Sequence, residues 1–423
     1  MDLQRKTKIR DSLIIHRAAQ FAFLSELIRI ETVHQPGDFA PACERVAELF
    51  EGLGFKVERI AVPTSPLSGD QRGHTQRTGI SNLVVRHGFG PGPVIALVAH
   101  GDTAPPIENE QSSAFNAEIE NGIMHGNGAI SKGNIAAYAF ALMALQKTAK
   151  GLKGTVELHI SFDGEGDGSS GVERLLEKSH VNPDQAIVSG ALLHIATSGC
   201  GSIELEAEMT GRLVTAPSTA AKPGSSTKPN DALFAVSKVL EALFKEKQAS
   251  AQTISTCVGV GAAELTVTKI NADRGPRTLP ERAAVQFKRT VLPDEDPARV
   301  QAHLTRVVGR ASVGANGVVC KVRRLSLAKS FGPQAMGQNL LGIIKKQTEE
   351  SLGFAVDEIG VADYTDGRHY AKLGIPVLLF GVNPSVVDDG LGVQLNEHLK
   401  LDDLRKVTEI VALGLAEFLS DPD

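Results

Sequence analysis

The sequence contains no tryptophan and only three tyrosines, so any stacking of nucleobases on aromatic rings would depend on its 16 phenylalanines. Its four cysteines, Cys43, Cys200, Cys257 and Cys320, lie far apart and form no C-x-x-C pair. This spacing argues against a disulfide framework, thiol chemistry and a zinc site built from cysteines. It is typical of a reduced protein, and we therefore predict a cytoplasmic location.

Positive charge is not in excess, because 44 lysines and arginines are scattered among 49 aspartates and glutamates. The chain lacks the basic stripe that binds nucleic acid, so we predict no nucleic-acid partner. No apolar run approaches the roughly 18 residues of a transmembrane helix, and the N-terminus is charged and then amphipathic, so we predict no membrane partner. The 423 residues, 42% of them hydrophobic, are typical of a globular protein with two or three domains.

Helical and extended hydrophobic patterns alternate along the first part of the chain. Apolar spacing predicts a helix over residues 9–30 and a strand over 155–162, and the run PGPVIALVAHGD is typical of a buried parallel strand. This alternation predicts an α/β fold with a central mixed sheet flanked by helices.

The order of predicted elements changes near Gly199 to β-α-β-β-α-β, which predicts an inserted ferredoxin-like α+β domain. The α/β pattern resumes after about Phe331. We therefore predict a discontinuous α/β domain, with a first part at residues 1–198 and a second part at 329–423. The inserted domain is predicted to occupy residues 199–328.

Two polar segments follow predicted strands, where ligands gather in open α/β sheets. His100-Gly101-Asp102 lies at the end of the strand predicted for the run VIALVA. A histidine whose ring is oriented by a nearby carboxylate is typical of a metal site. The alternative is a strand-end histidine satisfied by a loop aspartate. The segment DGEGDGS at 163–169 carries three carboxylates, which repel one another unless a cation or proton relieves them. The alternative here is a solvated acidic turn.

Two further segments carry polar groups. The glycine-rich stretch at 126–134 leads into a predicted helix, whose first backbone amides could hold an anion. It lacks the spacing of a phosphate loop, and a tight turn is the alternative. In the segment at 363–370, Arg368 could form a bidentate pair with a carboxylate, or an internal salt bridge with a nearby aspartate.

Taken in order, these segments and the inserted domain resemble the zinc-dependent metallohydrolase family of aminoacylases, acetylornithine deacetylase, succinyl-diaminopimelate desuccinylase and carboxypeptidase G. The similarity extends over nearly the whole chain. It implies a discontinuous metallohydrolase domain whose ferredoxin-like insertion is a lid. Relatives often dimerise through that lid, so the resemblance also implies a homodimer or a higher homo-oligomer.

The resemblance assigns catalytic roles at the strand ends. His100 matches a metal ligand, and Asp102 matches the carboxylate that orients it. Glu165 is a metal ligand under one alignment of the acidic segment, which places the general base at Gly164. Counting back from Gly168-Ser169 instead makes Glu165 the general base. Glu165 therefore belongs to the site under both alignments, and its role stays open.

Several of the family's metal-site and lid positions hold residues of another type in this sequence. The bridging aspartate falls at Ile130, the next acidic ligand near Ser189, the late histidine at Val393 and the lid histidine at Thr215. His194 follows Ser189 closely and is expected to substitute as a ligand. We therefore expect one divalent transition-metal ion per subunit, manganese or zinc, held by His100, Glu165 and His194.

The groups that bind the substrate are better retained. The resemblance implies that Arg289 of the lid and Arg368 and His369 of the T-D-x-R loop contact a small carboxylate-bearing molecule, and we add Asn134 from the glycine-rich segment. Our leading hypothesis is hydrolytic deamination of an aromatic amino acid such as 5-nitroanthranilate. The alternatives are an N-acyl amino acid deacylase or dipeptidase with substituted ligands, and a catalytically silent binding relative.

Overall fold

A computed structural model describes residues 3–35, 37–62, 77–106, 113–148, 150–165, 171–177, 180–211, 232–272, 281–313, 318–334, 340–362, 365–383 and 397–420. The helices are α1 (Leu3–Ile15), α2 (Arg17–Arg29), α3 (Ala40–Gly52), α4 (Ser131–Lys147), α5 (Val172–Glu177), α6 (Ala232–Ser250), α7 (Pro297–Ser312), α8 (Leu340–Leu352), α9 (Gly367–Lys372) and α10 (Leu401–Phe418). The strands are β1 (Gly37–Asp38), β2 (Val57–Ala61), β3 (Arg77–Thr78), β4 (Ser81–Gly90), β5 (Val94–His100), β6 (Glu118–Glu120), β7 (Ile123–His125), β8 (Gly154–Ser161), β9 (Gln185–Val188), β10 (His194–Gly199), β11 (Gly201–Thr210), β12 (Leu265–Ala272), β13 (Arg282–Val291), β14 (Val319–Ala328), β15 (Asp357–Val361), β16 (Val377–Leu379) and β17 (His398–Lys400).

The largest sheet has eight strands in the order β15-β10-β16-β9-β5-β8-β4-β2. Strand β5 is parallel to both β8 and β9, and β4 is antiparallel to β8 and β2. The apolar residues 95–99 of β5 are all buried, as expected for a strand covered on both faces. The predicted mixed sheet and its central parallel strand are therefore confirmed.

Helix α4 packs in the main hydrophobic core and is buried along almost its whole length. Its small residues at 136, 137, 139, 141 and 144 explain this position, because they let neighbouring backbones approach closely. Helix α10 also contributes to this core, and its apolar residues recur at helical spacing.

The predicted single helix at 9–30 is wrong in one detail, because the structure has two helices, α1 and α2, that separate at His16. The backbone there has φ −96° and ψ 6°, outside the helical range. The Nδ1 atom of His16 lies 2.7 Å from the carbonyl oxygen of Ser12, which also accepts the His16 backbone N–H. Such side-chain competition for a helical carbonyl disturbs the regular turn.

The ferredoxin-like α+β unit predicted from the element order is confirmed. Its sheet has the order β12-β13-β11-β14 and is antiparallel throughout. Helix α7 begins where Asp296 accepts a hydrogen bond from the Ala298 amide and Pro297 takes the first helical position. Side chains from α6, α7 and the sheet form a separate hydrophobic core.

The chain divides into two compact units. Unit 1 comprises Met1–Thr197, Pro333–Glu358 and Thr365–Asp423, and unit 2 comprises Ser198–Gly332 and Ile359–Tyr364. Among the described residues, no helix combines the length and apolar character needed to cross a membrane.

Candidate active site

The candidate site lies at the carboxyl ends of the neighbouring parallel strands β5 and β8. His100, the last residue of β5, is level with Ser161, the last residue of β8. The next amide, of Gly101, donates to the carbonyl of Ser161 over 2.8 Å. The two strands therefore deliver Asp102 and Glu165 to the same edge of the sheet.

Asp102 is fully buried and organises the surrounding groups. Its Oδ1 accepts the Gly164 amide at 2.8 Å and lies 3.3 Å from Nδ1 of His100. Its Oδ2 accepts the Glu165 amide at 3.1 Å and lies 3.1 Å from Nδ1 of His34. Burial alone would raise the pKa of Asp102, but the contacts with both imidazoles outweigh burial and lower it. Asp102 is thus an ionised carboxylate that orients two imidazoles and one turn.

His34 is a member of this cluster that we did not predict from the sequence. Its backbone amide donates to the carbonyl of Thr103 at 2.8 Å, and Val33 forms a parallel bridge with Thr103. The Thr32 hydroxyl donates to the Gly101 carbonyl at 2.6 Å. No local pattern marks His34, because its place depends on pairing between segments almost 70 residues apart.

The electrostatics of the centre reflect its crowded charges. Burial lowers the pKa of His100, but the hydrogen bond and charge of Asp102, with the charges of Asp366 and Glu165, raise it to about 9. Glu165 is an exposed residue, and partial desolvation of its carboxyl group raises its pKa; the carboxylates of Asp102 and Glu397 add to this effect, while the imidazoles of His100 and His34 oppose it. These interactions show that Glu165 and both imidazoles share one electrostatic environment.

Asp366, which immediately precedes α9, is a further acidic group of this environment. Burial raises its pKa to about 7, His100 opposes this rise, and Asp102 and Asp163 add to it. Within the described part of the chain, its Oδ1 atom is buried without a hydrogen-bond partner. Asp366 therefore brings a buried carboxyl group with one unsatisfied oxygen to the centre.

The amides of the glycine-rich turn before α4 bind a carboxylate of the protein itself, that of Glu397. The carboxylate of Glu397 accepts the Gly128 amide at 2.6 Å and the Ile130 amide at 2.8 Å. Helix α4 has no capping side chain of its own, so Glu397 supplies that function from a distant segment. Nearby, Lys132 is almost completely buried, and burial lowers its pKa to about 7.

Gly164 is packed directly against the ring of His100. A Cβ atom placed on Gly164 would lie 2.2 Å from Cγ of His100, closer than real Cβ contacts allow. Position 164, where one alignment places the general base, therefore has no room for a side chain in this structure. The neighbouring Glu165 is the acidic residue of this turn that lies beside the two imidazoles.

His194 lies at the same edge of the sheet but not within the cluster. It begins β10, and two strands, β16 and β9, lie between β10 and β5. The strand registers make His194 level with His100, so three strand spacings of about 4.8 Å separate their backbones by about 14 Å. Burial lowers the pKa of His194, and Asp357 opposes this shift. The described arrangement thus does not bring His194 to His100.

Three of the predicted substrate-binding residues also lie in unit 1. The amide of Asn134 donates to Asn383 at 2.8 Å and accepts the Val382 amide at 2.9 Å, so it joins α4 to the segment after β16. Arg368 donates from Nε to Nε2 of its neighbour His369 over 3.2 Å, and both side chains are buried in α9. Their contact with a substrate stays a prediction.

Arg289 lies in unit 2, where it is buried and bound to an internal carboxylate. Its Nη1 and Nη2 atoms each lie 2.8 Å from an oxygen of Glu295, and Nη1 also donates to the Thr290 carbonyl. Glu295 in turn accepts the Leu292 amide at 2.9 Å. A substrate carboxylate at Arg289 would therefore compete with a preformed bidentate pair.

The donor set of the described residues does not fit a two-metal centre, because no three of their histidine, cysteine, aspartate or glutamate side chains converge closely enough to hold an ion. Ile130, expected at the position of the bridging aspartate, has an apolar side chain, and Ser189, expected near the next acidic ligand, donates its hydroxyl to the Val98 carbonyl at 3.0 Å. The positions expected for the late and lid histidines, Val393 and Thr215, lie outside the described residues.

Known proteins resemble this chain in sequence and in fold. Succinyl-diaminopimelate desuccinylase of Stenotrophomonas maltophilia is 24% identical over 353 residues, covering 80% of this chain and 87% of that protein. The dipeptidase Dug1p of Saccharomyces cerevisiae superposes with a TM-score of 0.72 at 14% identity, covering 99% of both chains. The YXEP protein of Bacillus subtilis, described as a dinuclear metal binding peptidase from the M20 family, has a TM-score of 0.62 at 16% identity and covers 94% of this chain and 99% of that one.

The two structural similarities, at such low identity, establish the fold. The family follows from the sequence, because the model described as peptidase family M20/M25/M40 matches residues 96–417 and so includes both strand-end motifs, the ferredoxin-like unit and helix α10. The chain belongs to peptidase family M20/M25/M40.

Proposed function

We propose that this protein hydrolyses a C–N bond in a small carboxylate-bearing molecule at the centre formed by His34, His100, Asp102 and Glu165. Members of its family are metal-dependent hydrolases of amide and peptide bonds. The names of its relatives, a desuccinylase and a dipeptidase, support an amide bond next to a carboxylate as the substrate class.

The observation that carries this proposal is the buried Asp102 carboxylate with its surrounding donors. Burying a charge costs several kcal/mol unless the charge is paired and hydrogen-bonded. The buried Asp102 carboxylate contacts two imidazoles and accepts a hydrogen bond from the Glu165 amide. Because each imidazole contacts Asp102 through Nδ1, its Nε2 atom is directed away from that carboxylate.

The roles that we assign follow from these contacts. Asp102 orients His100 and His34 and fixes the backbone of Gly164 and Glu165. His100 and His34 present Nε2 to the reacting group, and the Glu165 carboxyl, whose pKa partial desolvation raises, transfers protons. Since the donor set does not fit a two-metal centre, no step is assigned to a pair of cations. One manganese or zinc ion per subunit stays a prediction, as does homodimerisation. The strand order argues against the predicted role of His194 as a ligand beside His100, because two strands separate β10 from β5.

The test is a substrate panel applied to the full-length protein with manganese or zinc added. N-succinyl and N-acetyl amino acids, dipeptides and 2-aminobenzoates represent deacylation, peptide cleavage and aromatic deamination. We expect turnover of at least one class, and we expect Glu165→Gln and His34→Gln to reduce it by about 10²-fold or more, the usual contribution of acid–base groups. His303→Gln, which removes an exposed imidazole of α7, is the matched control.

The outcomes separate the competing functions. Turnover confined to 2-aminobenzoates would support aromatic deamination, and turnover of N-acyl amino acids or dipeptides would support the deacylase or dipeptidase alternative. No turnover of any class, with a substrate analogue still bound, would reject the proposal in favour of the silent binding relative. Unchanged turnover in Glu165→Gln would reject the centre itself.

A further inference from the structure

A row of three polar side chains crosses the small sheet formed by β17, β7 and β6. His125 of β7 is paired directly with His398 of β17 on one side and with Glu118 of β6 on the other. Directly paired residues of antiparallel strands point to the same face of a sheet. His398, His125 and Glu118 therefore form a row on one face, and we refer to the two imidazoles as the histidine pair.

The histidine pair lies on the face turned away from the hydrophobic core. The next pair along the ladder, Met124 and Leu399, is buried in that core. Because successive side chains of a strand alternate between faces, His125 and His398 point to the opposite side, where both are partly exposed. Their ring centroids are 5.9 Å apart, with an angle of 32° between the ring planes.

A centroid separation of 5.9 Å with a 32° tilt is not face-to-face stacking and is compatible with two rings that bind one ion. Imidazole nitrogens bind zinc at about 2.0–2.1 Å, so two rings that share an ion stand apart rather than in face-to-face contact. Imidazole ligands suit zinc, copper and nickel. Among the described residues, no third acidic, histidine or cysteine side chain, Glu118 of the row included, forms a metal-binding group with the pair, so water would supply the remaining ligands.

We propose that His125 and His398 form a binding site for one divalent transition-metal ion, zinc, copper or nickel. The site shares no residue with the centre at His100 and does not depend on the proposed hydrolase function. The proposed site links β7 to β17, a strand of only three residues. Glu397 is the residue immediately before β17. Its carbonyl accepts the Gly126 amide at 3.0 Å, and its carboxylate accepts a hydrogen bond from the turn before α4.

An ion bound to both histidines would thus stabilise the contact between Glu397 and the turn before α4. In the folded chain the two imidazoles lie on adjacent strands, whereas in the unfolded chain 272 intervening residues separate them. An ion that binds the folded state more tightly than the unfolded state raises stability by mass action. The site therefore stabilises the strand that carries Glu397 without contacting a substrate.

The experiment compares the wild-type full chain with His125→Gln, His398→Gln, His100→Ala and the surface control His303→Gln. Zinc and nickel binding are measured by calorimetry, copper coordination by electron paramagnetic resonance, and the melting temperature with and without zinc. In wild type and His303→Gln we expect two zinc ions, one at the histidine pair and the one predicted for the centre at His100, and in His100→Ala we expect the ion of the pair alone. In both pair variants we expect the ion of the pair to be lost and the zinc-dependent rise in melting temperature to be smaller than in wild type.

Three results would overturn the proposal. They are the absence of any bound ion in wild type, unchanged binding in His398→Gln, and loss of all binding in His100→Ala alone. Since both pair variants alter partly exposed side chains, their metal-free melting temperatures serve to show that each variant is folded. The copper spectrum of His100→Ala, in which the pair keeps both histidines, reports the number of imidazole nitrogens bound at the pair.

Discussion

At the scale of single residues, the molecule concentrates buried charge around Asp102. His100 and His34 contact its side chain directly, and the charge of Asp102 also acts on Lys132. Lys132 donates from Nζ to the Ile30 carbonyl at 2.8 Å. A buried ammonium with one such partner is destabilised, which is why burial lowers its pKa to about 7 despite the opposing charges of Glu397, Asp102 and Glu31.

Lys132 should make stability rise with pH. Between about pH 7 and the unfolded-state pKa of about 10.4, the unfolded chain binds a proton at this residue and the folded chain does not. The free energy of unfolding therefore rises with pH because of Lys132 in this window, by on the order of 1 kcal/mol per pH unit. We expect Lys132→Met to lack this rise, so the free energy of unfolding of wild type should increase relative to that of Lys132→Met by roughly a few kcal/mol from pH 7 to 10.

Urea unfolding at pH 7, 8.5 and 10 measures this dependence. The control is Lys56→Met, which removes an exposed lysine before β2 and should change stability equally at each pH. Parallel curves for wild type and Lys132→Met would show that Lys132 stays charged in the folded state.

At the scale of elements, α4 depends on a residue from the other end of the chain. The Gly128 and Ile130 amides, in the turn just before α4, donate to Glu397, a carboxylate placed where the positive end of the helix dipole lies. From the sequence we expected an external anion or a tight turn at this place. The turn exists, and its anion is internal.

Removing this cap should loosen the start of α4. We expect Glu397→Ala to lower the free energy of unfolding by about 1–3 kcal/mol, because two partly buried amides lose a charged acceptor. Hydrogen exchange should accelerate at Gly128 and Ile130. Glu350→Ala, which removes an exposed ion pair with Lys6, should cost at most about 1 kcal/mol. Equal effects of both substitutions would contradict the capping role.

At the scale of the whole molecule, two hydrophobic cores stabilise two units. The core of unit 1 includes Leu97 of β5, and the core of unit 2 includes Leu205 of β11. Both leucines are fully buried, and the two core clusters have no residue in common. Each unit therefore has its own source of hydrophobic stabilisation.

Cavities in the two cores should have separate effects. We expect Leu205→Ala to cost about 2–5 kcal/mol and to accelerate hydrogen exchange in the strands of unit 2. Leu97→Ala is the matched variant and should accelerate exchange in unit 1 instead. Hydrogen exchange followed by mass spectrometry measures the exchange rates in both units for each variant. Uniform acceleration over the whole chain by either substitution would show that the units unfold as one.

Much of the fold could be predicted because its signals are local. Uniform apolar residues marked β5, and element order marked the ferredoxin-like unit. The short strands β6, β7 and β17 were not predicted, because three residues carry too little periodicity to distinguish a strand from a loop. The pairing that creates the histidine pair was therefore also missed.

The sequence by itself determined the alternation of elements and the positions of His100, Asp102 and Glu165 at strand ends. Only the tertiary structure decided that His34 contacts Asp102, that Glu397 occupies the amides of the glycine-rich turn, and that Glu295 holds Arg289. The physical reason is that residue type and spacing record local conformation. The partner of a charged group is instead set by segments that the fold brings together from distant parts of the chain.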